Sequence, residues 1–200
     1  DQLPQARVIA VDQNPSVLPA LPNHAIQICL SDIERAGLRT GSFDAIWLCR
    51  SMHSSIDPQL RLKSLVPLLR SGGRLIVIEN DLAHCPILSL PDEFERRIQA
   101  ALHEHFESLC HNGSSIERYH SARNLPRWLR DAGLDHVNIH TYTVEDVAPM
   151  PPDIEDYWRL SLNYQGHQIQ PFLSAADWQA YLHSFDPASP EYLLNRPGFY

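Results

Sequence analysis

The stretch from Gly41 to Asn80, GSFDAIWLCRSMHSSIDPQLRLKSLVPLLRSGGRLIVIEN, constrains this chain more than any other. Asp44–Cys49 and Arg74–Asn80 are short apolar runs, the second rich in β-branched residues. Both suit strands covered on two faces. Between them Leu60, Leu62, Leu65, Val66, Leu68 and Leu69 recur at helical spacing. Pro58 falls in the first turn, where its missing N–H does no harm. Ser71, Gly72 and Gly73 follow the helical pattern and offer a glycine for a left-handed cap. The spacing predicts strand, helix, strand, with parallel strands joined by a right-handed crossover.

The rest of the N-terminal half repeats that logic. Ala6–Asp12 reads as a strand that ends in an acid, and Asn14, Pro15 and Ser16 as the start of a short helix. Ala25–Leu30 reads as another strand, ending at Ser31, Asp32 and Ile33. Strands alternating with helical segments predict an α/β fold with a mainly parallel, doubly wound sheet. Asp81–Arg123 interrupts the alternation. Within it Asp92–Cys110 reads as a helix with Phe94, Ile98, Ala101, Leu102, Phe106 and Leu109 on one face. Such an insertion falls over the carboxyl ends of the strands, where open α/β sheets bind ligands, and reads as a substrate lid. Asn124–Gly133 then reads as a helix and Leu134–Glu145 as a strand, with Val137, Ile139, Thr141 and Thr143 on one side. Beyond Asp146, two helices are expected, Asp153–Asn163 and Ser174–Phe185, each opened by a capping residue. The expected division is a core of residues 1–145, with the lid at 81–123, followed by an aromatic-rich helical segment at 146–200 that serves as a cap or a homodimer contact.

Charge and cysteine usage narrow the partners. A formal charge of -8, with no basic run, argues against nucleic acid. The apolar runs are strand-sized, so neither a membrane span nor a membrane partner is expected. None of the four cysteines forms a CxxC pair, which fits a reducing, cytoplasmic setting. There is no G-x-S-x-G elbow for a serine hydrolase and no Tyr-x-x-x-Lys pair for a short-chain dehydrogenase. His103, Glu107 and His111 recur at i, i+4 and i+8. HExxH is absent, so this reads as a solvated helix face and no metal is expected.

SFDAIW, then His53, then LLRSGGRLIVIEN, and later the L-x-x-W-L-x-x-A-G pattern before Leu134, together resemble the class I S-adenosylmethionine-dependent methyltransferases. Ser71 stands where that family usually has proline. The resemblance runs over residues 6 to 145. It implies a Rossmann-like methyltransferase fold with helical cap insertions, S-adenosylmethionine as cofactor and a small-molecule acceptor. It also implies a strand and a glycine-rich turn that have no counterpart before Ala6, so a chain truncated at its N-terminus is expected.

By that resemblance Asp12 takes the ribose hydroxyls, Gln13 lies beside the adenine, Asp32 takes the adenine amino group and Ile33 packs on the ring. Cys49 and Arg50 present their backbone to the methionine part. His53 acts as general base or orients the acceptor, and Glu79, with Asn80 and His84, faces the acceptor from the other wall. Plainer roles compete at each position: a turn aspartate at Asp12 and Asp32, core packing at Cys49, a structural histidine at His53. Asp12 suits a nicotinamide cofactor equally well. Methyl transfer is an in-line displacement from a sulfonium, for which alignment alone supplies much of the rate. Two other functions therefore stay open, a non-catalytic methyltransferase-like binding or dimerisation module and a nicotinamide-dependent oxidoreductase.

Overall fold

Two parallel strand pairs form the N-terminal half of the protein. The structure is a computed structural model that describes residues 6–16, 26–82, 90–110, 116–142 and 146–195. Strand β1 (Val8–Asp12) pairs with β2 (Ile26–Leu30), in register from Val8↔Ile26 to Asp12↔Leu30. Strand β3 (Phe43–Cys49) pairs with β4 (Leu69–Ile78), in register from Ala45↔Arg74 to Cys49↔Ile78. Helix α1 (Pro58–Leu65) forms the crossover between β3 and β4. Its N-cap is Asp57, whose carboxylate accepts the Leu60 N–H, with Pro58 in the first turn.

The expected strand–helix–strand unit is present, with two differences. The glycine pair does not end the helix. Pro67 lacks the N–H needed to continue the ladder, so the chain tightens into a 3-10 turn at Val66–Leu68 and enters β4 at Leu69. Ser71–Gly73 then sit inside β4, at the irregularity opposite Phe43–Ala45. A Cβ on Gly73 would stand 2.9 Å from the Arg70 carbonyl oxygen and 3.0 Å from that of Phe43. The second difference is that β3 and β4 are covered on one face, not two. Ile46, Leu48, Leu75 and Val77 pack under α1 and helix α3 (Ser121–Asp131), together with Met52, Leu62, Leu65, Trp128 and Leu129. Trp47, Ile76 and Ile78 lie on the alternate face and are exposed, because no described element packs there.

The doubly wound sheet is met only broadly: among the described residues the strands form two separate two-stranded parallel sheets. The strand expected over Leu134–Glu145 is not formed in its described part, residues 134–142. His136 adopts a left-handed φ of 53°, which breaks extension, and Leu134 and Val137 pack into the α1–α3 core instead of pairing with an edge.

Helices make the second core. Helix α2 (Asp92–Ser108) buries Phe94, Ile98, Ala101, Leu102 and Phe106, as its periodicity predicts; Leu109 lies past its end and is exposed. Helix α4 (Pro152–Ile169) and helix α5 (Ala175–Ser184) pack against it through Leu162, Ile169 and Tyr181. Ser174 caps α5 as expected, accepting the Asp177 N–H. At α4 the cap position is Pro151, with Asp153 inside the first turn near the positive end of the helix. No described helix is long and apolar enough to cross a membrane.

His105 stands on the buried side of α2, against Phe106 and Phe172, and its Nε2 has no hydrogen-bond partner among the described residues. Burial pushes its imidazole below the ordinary value of 6.5. The folded protein therefore resists a proton that the unfolded chain accepts. This contribution to stability is complete above about pH 6.5 and is lost as the pH falls below it. Urea denaturation across that range should show a declining midpoint for the natural protein and a flatter profile for His105→Phe. An unchanged slope in the variant would contradict the assignment.

Candidate active site

The parallel register brings the tips of β1 and β2 side by side. Ser31 N–H donates to the Asp12 carbonyl at 3.0 Å, closing the ladder just past its last pair. Asp12 Oδ1 accepts the Asn14 N–H at 2.8 Å, and Asp32 Oδ1 accepts the Glu34 N–H at 3.1 Å. Each carboxylate thus has one oxygen held by a local backbone turn, the habit of aspartate in such loops, and a second oxygen with acceptor capacity unused among the described residues. Gln13 is exposed beside Asp12. Ile33 is half-buried and packs against the α1–α3 core.

At the other strand pair, Arg50 N–H donates to the Ile78 carbonyl at 2.8 Å, the last rung of the β3–β4 ladder. Arg50 then adopts a left-handed φ of 50°, uncommon for a residue with a side chain and favoured only where the surroundings demand it. Cys49 and Arg50 are exposed. The turn folds the following residues back over the tip of β4. Met52 N–H donates to Glu79 Oε2 at 2.7 Å, His53 Nδ1 lies 2.9 Å from Glu79 Oε1, and Asn80 N–H donates to the same oxygen at 3.1 Å. The Glu79 side chain is fully enclosed, whereas the His53 side chain keeps 25% of its surface open.

Burial alone would raise the Glu79 pKa. The hydrogen bonds from His53 and from the Met52 and Asn80 amides, together with the attraction of His53, outweigh it and hold Glu79 below the ordinary 4.5. An ionised carboxylate only accepts, so the proton between the two groups sits on His53 Nδ1. Nε2 of the neutral ring is then the basic nitrogen. Among the expected site residues, the structure therefore joins His53 directly to Glu79, and sets Asp12 beside the turn that holds Asp32.

Other aromatic and histidine side chains serve elsewhere. Tyr119 is committed to the helical core, its ring stacked on Phe106 at 4.3 Å. His120 Nδ1 lies 3.3 Å from Asp81, which Arg123 Nε also meets at 2.6 Å, so this cluster ties the chain after Asn80 to the start of α3. His103 Nε2 is 3.4 Å from Glu107 on an exposed face of α2. His84 and His111 lie outside the described residues.

The sequence reading missed Arg61. Its Nη1 donates to the Ser51 carbonyl at 2.9 Å and its Nε to Glu34 Oε1 at 3.2 Å. A signal was available. Arg61 lies one helical turn from both Pro58 and Leu65, which are buried, and a cation on a covered stripe needs fixed partners.

Residues 1–77 match the family model described as a methyltransferase domain, a span that holds Asp12, Asp32, Arg50 and His53 and stops just short of Glu79. Over that span the chain is similar to methyltransferase domains. Curated relatives include the ubiquinone/menaquinone biosynthesis C-methyltransferase UbiE of Francisella tularensis subsp. novicida (strain U112), of subsp. tularensis (strain WY96-3418) and of subsp. mediasiatica (strain FSC147). Each is 27% identical over 157 residues, a stretch that covers 72% of this chain. The chain spans 63% of the length of these relatives.

Replacing Glu79 with Gln keeps the volume and removes the charge that three donors address. Glu79→Gln should lower stability near neutral pH by about 1–3 kcal/mol, the range for leaving a buried donor unsatisfied. It should also remove the stability that the natural protein holds above about pH 4.5 and loses as acid protonates Glu79. Denaturant melts near neutral and acid pH measure both. A variant as stable as the parent would contradict the enclosed, ionised carboxylate.

Proposed function

We propose that this chain transfers the methyl group of S-adenosylmethionine to a small organic acceptor that gives up a proton to His53. The observation that carries this reading is the His53–Glu79 pair at the β3–β4 tips. It lies within one chain that also sets Asp12 beside the turn bearing Asp32, at the tips of β1 and β2. The donor set suits the cofactor. Asp12 and Asp32 each keep an oxygen for a donor from outside the chain, which fits the ribose hydroxyls and the adenine amino group. Gln13 and Ile33 stand beside them. The backbone of Cys49 and Arg50 ends β3 where the methionine part would lie.

When bound, S-adenosylmethionine supplies a methyl carbon already activated by a sulfonium. The chain's own work is then to align the acceptor and to manage its proton. His53 Nε2 takes the acceptor proton, which leaves the electron pair on the acceptor atom. Glu79, ionised and held by the Met52 and Asn80 amides, keeps the ring in the Nδ1–H tautomer and stabilises the imidazolium that forms, the part a buried aspartate plays in a catalytic triad. This chemistry suits a hydroxyl, or a carbon made nucleophilic by loss of a proton. The name of the Francisella relatives as C-methyltransferases of quinone biosynthesis favours the carbon acceptor. A nicotinamide cofactor would use Asp12 in the same way, and a titration with NADH distinguishes it.

Calorimetry of the full chain with S-adenosylhomocysteine should show binding in the micromolar range, weakened about tenfold or more by Asp12→Asn. His53→Gln should bind this ligand within about twofold of the parent, yet turn over an accepted substrate at least about a hundredfold more slowly, the usual worth of a positioned base. Absence of heat at about millimolar ligand would overturn the reading.

A further inference from the structure

We infer that Arg61 is a positioning residue that fixes the adenine side of the cofactor crevice against its methionine side; this rests on the methyl-transfer reading above. Among the described residues the two strand pairs share no ladder, since β1 pairs with β2 and β3 with β4. Among the described residues, no backbone pairing sets Asp12 and Asp32 relative to Arg50 and His53. A side chain on α1 spans the gap instead.

The Arg61 guanidinium reaches both halves at once. Nη1 donates to the carbonyl of Ser51, which stands between the left-handed Arg50 and Met52, whose N–H enters the Glu79 carboxylate. Nε donates to Glu34, whose own N–H is held by the Asp32 carboxylate. The planar fork thus runs from the turn that carries Asp32 to the loop that carries His53. Arginine suits this role because its donors point in fixed, coplanar directions, whereas a lysine ammonium addresses one point. The Arg61 side chain is 11% exposed and that of Glu34 36%, so the guanidinium end is the shielded one and the geometry of the fork, more than the strength of the ion pair, carries the role. Ile33, packed into the core beneath α1, braces the same turn from below.

The geometry makes a distinctive demand. Loosening the fork should weaken cofactor binding through its two ends jointly, without unfolding the protein. The test is calorimetry of the full chain with S-adenosylhomocysteine, with the thermal midpoint measured alongside. The variants are Glu34→Gln, Arg61→Lys, Arg61→Met and the Glu34→Gln/Arg61→Met double. Arg127→Gln serves as control, since it breaks an exposed 3.1 Å pair between α3 and Glu117 in the turn before it. Expected are about a fivefold loss of affinity for Glu34→Gln with an unshifted midpoint, about tenfold or more for Arg61→Met, and incomplete rescue by Arg61→Lys. The double should be no weaker than Arg61→Met alone, because both changes cut one strut. Should Arg61→Met fail to fold, Glu34→Gln and Arg61→Lys decide.

The inference is overturned if Glu34→Gln binds as tightly as a parent that does bind, if the losses multiply in the double, or if Arg127→Gln loses as much affinity. A parent that binds no S-adenosylhomocysteine is a separate result: it removes the methyl-transfer reading and this inference with it.

Discussion

A carboxylate shut away from water, with three donors converging on it, governs the geometry of the β3–β4 tips. An ionised Glu79 without partners would cost several kcal/mol, so the chain before and after it must deliver hydrogen bonds. Asn80 delivers one from the next residue. Met52 and His53 deliver the others across the ladder, and they do so only because Arg50 turns left-handed immediately after the last β3 rung. Met52 is completely buried as a result, which anchors the loop in the α1–α3 core. The strain at Arg50, the burial of Met52 and the orientation of the His53 ring are one arrangement seen from three residues.

The helical half is held by its own logic. The Tyr181 hydroxyl donates to the Leu162 carbonyl at 2.6 Å inside the α4–α5 contact, and burial raises its pKa well above the tyrosine range. Gly166 is required there, since a Cβ would stand 2.5 Å from the Tyr181 ring. Arg97 on α2 reaches Asp177 on α5 at 2.9 Å. The link back to the strand tips runs through Asp81, just past Asn80, which meets His120 and Arg123 at the start of α3. Helix α3 in turn contributes Trp128 and Leu129 to the core under β3 and β4.

Much of this was legible in the chain. Five-to-seven-residue apolar runs ending in Asp12, Leu30 and Cys49 gave the strands within a residue or two, because β-branched content and bounding polar residues mark such elements locally. The buried face of α2 followed from its period. What failed was non-local. Whether residues 134–142 form a strand depends on an edge to pair with, and whether β3 is covered on both faces depends on elements far from it in sequence. The glycine pair was misplaced because Pro67 stops the helix first. At the site, His53 and Glu79 were each visible as polar residues at strand ends, but their contact spans a helix and a sheet rung that no local pattern encodes. The helical spacing of Arg61 from Pro58 and Leu65 marks it as a cation needing partners, but which partners emerges only when two loops from different strand pairs meet on one helix.

The geometry of the His53–Glu79 pair turns on which nitrogen of His53 carries the proton. Long-range nitrogen–proton NMR of the imidazole, in protein labelled at histidine nitrogen, reads this directly. The structure requires the neutral ring to be protonated at Nδ1, facing Glu79. A neutral His53 protonated chiefly at Nε2 would contradict it and would remove the proposed base.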